Sequence, residues 1–248
     1  EQTINILIKD CISHGNGLDG FVADFMIDGA FVGNVAYDND RHGFNVVTST
    51  HDFVLLDNVA SGNGGNGVVV QRGSSNIPSP ENILIQGGEY YDNGLEGVLI
   101  KLSSQVTVDG ADIHGNGGTG VRIYGSSDVQ VINSTIHGNA QNGPNAEVLV
   151  QSYDDTGGVS GLYWTARDNL IEGNTIGGDG HSTYGVQERN DGTERTGVYD
   201  NDITGMVRGE TQLYGAGSVV SDDPSGQLEV IIRGTDGNDV LLGGAGRE

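Results

Sequence analysis

The sequence predicts an all-β protein, a right-handed parallel β-helix, and three observations lead there. An asparagine and a glycine four residues apart recur as Asn16/Gly20, Asn39/Gly43, Asn63/Gly67, Asn93/Gly97 and Asn116/Gly120. The glycines fall 23, 24, 30 and 23 residues apart. That period belongs to solenoids, in which no unit buries its own apolar face and stacking supplies the core. After each glycine comes a short alternating run, rich in β-branched residues, of the kind that forms strands and not helices.

Taken in order, those runs are Phe21-Val22-Ala23-Asp24, Phe44-Asn45-Val46-Val47, Val68-Val69-Val70-Gln71, Val98-Leu99-Ile100-Lys101 and Val121-Arg122-Ile123-Tyr124. Their first and third positions are apolar throughout and are expected to point inward. The second and fourth are mixed or charged and are expected to face out. A leucine-rich repeat of similar length would need a leucine framework that this chain lacks. Asparagine suits the turns because it tolerates left-handed backbone angles and bonds neighbouring backbone groups, and glycine meets the same steric demand. A stacked asparagine ladder inside one corner is expected.

Beyond residue 125 the period loosens. Glu147-Val148-Leu149-Val150-Gln151 reads as the next equivalent strand after an enlarged loop over 139–146, and Tyr184 to Arg189 resumes the pattern. Between them, Ser152 to Trp164 reads as a long loop carrying the sole tryptophan, placed either to stack on a sugar ring or to cover a flank of the solenoid. The domain organisation read from this pattern is a β-helix over 1–221, a linker or last strand over 222–233 and a different module over 234–248. About nine to ten coils fit the length.

Composition narrows the function. The 43 glycines serve turns repeated in every coil, because strand-like runs persist between them. No apolar stretch approaches a membrane span, and no signal peptide opens the chain. The immediate strand at Glu1-Gln2-Thr3 and the missing start methionine lead to the expectation of removed upstream sequence. Cys11 stands alone in an apolar setting and is expected to be a small core residue. A formal charge of −23 argues against a nucleic-acid partner and favours cation binding. Yet Arg41, Arg72, Lys101 and Arg122 lie within or beside the repeated unit of consecutive coils. Stacked, they would form a positive stripe, either for charge relief or as a groove for a linear polyanion.

Aligned on the glycine, two columns hold most of the reactive groups. The position before it gives Asp19, His42, Asn66, Glu96 and Thr119; the fourth after it gives Asp24, Val47, Gln71, Lys101 and Tyr124. Asp24 either ends its strand in solvent or sits in a partly desolvated cleft, where a carboxyl group can keep its proton and donate a hydrogen bond. His14, His114 and His137 each open a His-Gly-Asn turn and read as structural.

Near the end, Gly234-Thr235-Asp236-Gly237-Asn238-Asp239 and the glycine-rich run after it resemble the nonapeptide repeat of RTX proteins, in which aspartates ligate calcium between stacked repeats. Asp236 and Asp239 are therefore candidate metal ligands, and Ca2+ the expected cofactor. Other runs are more specific. Asp19 to Asp24, Asn39 to Phe53, Val69 to Gly73 and Gln187 to Thr193 together resemble the catalytic module of the secreted, calcium-dependent mannuronan C-5 epimerases of the Azotobacter type.

That resemblance implies inversion at C5 of β-D-mannuronate within alginate, by a secreted monomer with a polysaccharide partner and neither nucleic acid nor membrane. It implies that Asp24 neutralises the substrate carboxylate, and that Asp19, Arg41, His42, Gln71, Arg72, Lys101 and Arg122 line the substrate groove. Family catalysis also uses a Tyr-Gly-Phe-Asp-Pro-His segment, which is absent from these 248 residues. In the family it directly precedes the stretch that opens here with Glu1, so the acid/base pair is expected upstream. Leu95 stands where some relatives carry an arginine. A polyuronate lyase, or a non-catalytic polyuronate-binding solenoid, remains as an alternative on the same fold.

Overall fold

The computed structural model describes residues 3–73, 77–158 and 161–221. The linker over 222–233 and the segment over 234–248, with Asp236 and Asp239, lie outside the described residues. Every regular element among those described is a strand, and three long parallel sheets run along the molecule. The third is built from the repeated runs: Phe21–Asp24, Phe44–Val47, Val68–Gln71, Val98–Lys101, Val121–Tyr124, Val148–Gln151, Tyr184–Glu188 and Gly209–Gln212. Each strand pairs with its counterpart one coil away, so that Phe21, Phe44, Val68, Val98, Val121 and Val148 fall in one line. This is the parallel β-helix the repeat predicts.

Inward lines of Val46, Val70, Ile100 and Ile123 are fully buried, together with Phe53, Leu55, Ile83 and Ile85 from the first sheet and Tyr90, Ile113 and Ile136 from the second. Each such aliphatic or aromatic side chain contributes roughly 1.5–3 kcal/mol by leaving water. In the early coils Phe21 stacks on Phe44 at 5.1 Å, and Phe31 meets Phe53 edge-on at 4.9 Å.

The asparagine ladder is present. Nδ2 of Asn16, Asn39, Asn63, Asn93 and Asn116 donates in turn to Oδ1 of the asparagine one coil on, at 2.8–3.0 Å, ending at Asn139. Asn139 donates to the buried carboxyl of Glu147, which terminates the row. Burial pushes the Glu147 carboxyl up, against its hydrogen bonds from Ser182 and Asn139.

Three expectations need correction. The ladder asparagines are not the left-handed residues; the residue just before each is, as Gly15, Asp38, Gly62, Asp92, Gly115 and Gly138. Asparagine is selected here for an inward amide that bonds along the stack, while aspartate or glycine makes the turn. The repeated glycine answers to crowding: a Cβ at Gly67 would lie 2.7 Å from Gly97 O and 2.9 Å from Asn93 Nδ2. Cys11 is exposed, not core. Ile4, Leu7 and Ile12 of the same coil are also exposed, because among the described residues no other coil packs on that side.

Candidate active site

The third sheet carries its functional side chains on its outer face and trailing corner. After four of its eight strands the chain turns through a left-handed residue: Phe25 after Asp24, Thr48 after Val47, Leu102 after Lys101 and Gly125 after Tyr124. Phenylalanine, threonine and leucine adopt that conformation only where the surroundings hold them in it. The bend brings the fourth positions to one corner, and the register makes them a column: Asp24, Val47, Gln71, Lys101, Tyr124, Gln151. Successive coils add about 4.8 Å each, so the column is on the order of 24 Å long.

Asp24 is exposed, so the open-solvent alternative holds for it in this structure. No hydrogen bond or ion pair ties its carboxylate to another described residue. Asp19 is placed in the opposite way. Its side chain is 1% exposed, and its oxygens accept from Arg41 Nε at 2.7 Å, Arg41 Nη2, the His42 N–H at 3.2 Å and Asn45 Nδ2 at 2.9 Å. All its acceptor directions are taken, so Asp19 holds other groups in place and offers nothing to a bound sugar. Asn45 in turn accepts from Gln71 Nε2 at 3.3 Å. Arg41, Asp19, Asn45 and Gln71 therefore form one chain of contacts across three coils.

Burial raises the Asp19 carboxyl, but the hydrogen bonds and charge of Arg41, with Asn45 and the His42 N–H, leave it below the ordinary aspartate value. A carboxyl depressed on folding stabilises above its unfolded value and loses that contribution as pH falls through the folded one. Asp19→Asn is expected to cost about 1–3 kcal/mol at neutral pH, discounted for the half-exposed Arg41 partner. Urea unfolding of both proteins at neutral pH and again near pH 3 checks this: the gap should narrow at the lower pH.

His42 accepts the Asn66 N–H on Nδ1 at 3.0 Å, which fixes the proton of the neutral imidazole on Nε2. Burial pushes the ring down, with Asp19 opposing and Arg41 adding to the effect. His42 is accordingly a neutral hydrogen-bond donor.

The other three cations of the predicted stripe meet aromatic rings. Lys101 Nζ stands 5.2 Å from the Tyr153 ring and 5.9 Å from that of Tyr124, with no carboxylate in ion-pair range among the described residues. Arg122 lies 4.5 Å over Tyr124, pairs with Glu96 at 3.2 Å and donates to Gln151 at 2.8 Å. Arg72 donates to Ile77 O and lies 4.9 Å over Trp164. The tryptophan-bearing loop is an antiparallel ribbon in which Tyr153–Asp154 pairs with Tyr163–Trp164. Trp164 thus spends one ring face on Arg72, and Tyr153 contributes to the cationic column.

Asn45 and Tyr153 were not apparent from the linear sequence. Asn45 is a polar residue at the second position of its strand, and only the register reveals it between Asp19 and Gln71. The second strand positions face out as expected, but not all of them are open to solvent. Asn45, Val69 and Leu149 face out of the sheet yet are 4% exposed or less, whereas Val22 in the same line is exposed and Leu99 and Arg122 are half-buried, so the face is shielded at some coils and open at others. The candidate calcium ligands fall outside the described residues. The described cluster with metal-ligand spacing, Glu89, Asp112 and His114, includes an imidazole and does not fit calcium's all-oxygen shell.

Comparison with known proteins follows this geometry. Residues 79–223 match the right handed beta helix region family. Mannuronan C5-epimerase AlgE3 of Azotobacter vinelandii is 63% identical over 97% of the chain, and alginate lyase 7 of the same organism is 52% identical over 98%. The solved A-module of the Azotobacter vinelandii mannuronan C-5 epimerase AlgE4 superposes with a TM-score of 0.87 at 59% identity, covering 89% of this chain and 59% of that one. The chain spans 13% and 28% of the length of the two curated relatives.

Proposed function

We propose, from the premise that this chain belongs to the right-handed β-helix family, that it inverts C5 of β-D-mannuronate residues within alginate to give α-L-guluronate. The observation that carries this is the 63% identity to an epimerase over 97% of the chain. The column of Asp24, Gln71, Lys101 and Tyr124, with Arg41 and His42 beside it, supports the same reading.

The reaction breaks the C5–H bond and leaves its electron pair conjugated with the substrate carboxyl group. A proton returned to the opposite face restores C5 with inverted configuration, and no net oxidation occurs. Deprotonation beside an ionised carboxylate would build a dianion, so that carboxylate must first be neutralised. In this reading Asp24 meets the carboxylate of the bound uronate, and the two carboxyl groups share one proton because like charges in contact cannot both ionise. Lys101 and Arg41 lower the cost of bringing a polyanion to this face. His42 donates through Nε2 and is therefore a substrate contact, not the base. Base and acid fall to the Tyr-Gly-Phe-Asp-Pro-His segment of the family. The same proposal makes the protein a secreted, calcium-dependent monomer.

The 52% identity to an alginate lyase favours one second reading, β-elimination on the same groove. Elimination shares the neutralisation and deprotonation but expels the 4-linked sugar. Proton NMR of polymannuronate treated with this chain, alone and joined to its relatives' Tyr-Gly-Phe-Asp-Pro-His segment ahead of Glu1, separates the two. Guluronate signals at constant viscosity are expected. Unsaturated ends with falling viscosity would establish the lyase instead, and neither change in the joined protein would overturn both.

A further inference from the structure

We propose that Glu89, Asp112, His114 and His137 bind a divalent metal ion of borderline softness, zinc being the best fit, on the second sheet and apart from the groove. The four residues come from three consecutive strands, Glu89–Tyr91, Asp112–His114 and Thr135–His137. The register sets Glu89 beside Asp112, and Tyr91, His114 and His137 in line. Their side chains point outward, because the intervening Tyr90, Ile113 and Ile136 are fully buried.

One ligand atom each of Glu89, Asp112 and His114 lies within 4.8 Å of the others. Nε2 of His114 is 3.2 Å from Glu89 Oε1, and Nε2 of His137 is 3.5 Å from Asp112 Oδ1. The two imidazoles stack at 5.0 Å and 11°, and Tyr91 stacks on His114 at 5.1 Å. Stacking keeps both Nε2 atoms on the carboxylate side. Although the Asp112 side chain as a whole is half-exposed, its Oδ1 is shut from solvent and accepts no hydrogen bond, having only the His137 Nε2 contact at 3.5 Å. Buried carboxylate oxygens are ordinarily satisfied, and a cation shared with His137 would satisfy this one.

The donor set selects the ion. Two imidazole nitrogens with two carboxylate oxygens suit tetrahedral zinc, and nickel or copper as competitors, whereas calcium takes six to eight oxygens. Zinc requires donor distances of roughly 2.0–2.2 Å, so on binding the two stacked imidazoles have to unstack and His137 has to turn in toward the Glu89, Asp112 and His114 donors. The Glu89 and Asp112 side chains are 47% and 50% exposed, so an ion has access, and the net charge of −23 concentrates cations at the surface. Ligands from three coils make the ion a staple across the stack, and binding to the folded state alone stabilises it.

The test is calorimetric titration of the full chain with zinc chloride, beside His114→Asn, His137→Asn and Asp112→Asn. His181→Asn, which removes the exposed His181–Asp179 pair, is the control for incidental zinc sites. One site is expected, weakened at least about tenfold in each of the three variants and unchanged in the control. Cobalt should give the visible bands of tetrahedral coordination, and zinc but not calcium should raise the melting temperature. Outward positions on a strand tolerate these changes, and circular dichroism verifies the fold. Equal zinc affinity in the parent and the three variants, or calcium displacing zinc at equal concentration, would overturn the proposal.

Discussion

Asp24→Asn should lower the rate of guluronate formation from polymannuronate by about 10²–10³ while leaving thermal stability unchanged within about 0.5 kcal/mol. Both halves follow from where the residue stands. Asp24 closes an outward corner, is exposed and makes no contact that the fold depends on. Asparagine keeps its shape and costs the protein nothing. What asparagine cannot do is share a proton with a uronate carboxylate, so deprotonation at C5 again has to build a dianion. Initial rates by proton NMR, in the form that is active, with melting curves beside them, check the prediction. Retention of more than half the parent rate would remove Asp24 from the reaction. Asp19→Asn supplies the converse pattern, since its buried carboxylate supports Arg41, His42 and Asn45. Stability should fall there, and activity only through the displaced Arg41.

The solenoid was legible because its signal is repetitive. Five Asn-to-Gly pairs and five alternating strands reinforce one another, and the structure adds the rungs they imply. Columns could also be read, so Asp24, Gln71 and Lys101 fall in one line as the period requires. What could not be read is contact between columns. Whether Asp19 faces a ligand or is closed in by Arg41 and Asn45 depends on diagonal neighbours 22 and 26 residues away. Val69 and Leu149 looked outward by alternation, and they are; their shielding depends on what lies over that face, which a period does not encode. The three His-Gly-Asn turns show the same limit. Each histidine read as a turn-opener, and only stacking places His114 and His137 against each other and beside Asp112.

Asn93→Ala should destabilise the protein by roughly 3–5 kcal/mol, far more than the same change at Asn16. Asn93 is the middle of the ladder and 1% exposed. Its Oδ1 accepts both the N–H and the side-chain amide of Asn63, at 3.2 and 2.9 Å. Its Nδ2 donates to Ala60 O and Asn116 Oδ1, at 3.1 and 3.0 Å. Alanine would strand two donors and one acceptor in a corner that holds no other group to meet them, at about 1–3 kcal/mol for each buried group left unpaired. Asn16 makes the same kind of bond to Asn39 but is exposed, so water replaces what alanine removes, and a loss under about 1 kcal/mol is expected there. Denaturant unfolding of the two variants distinguishes the causes. If asparagine were needed only for turn conformation, Asn16→Ala and Asn93→Ala would cost the same, because both follow a left-handed residue, Gly15 or Asp92. If the ladder is a chain of buried hydrogen bonds, the cost grows from the exposed rung toward the middle. The stack is then held in register by the same row of amides that fixes the spacing of the column beside it.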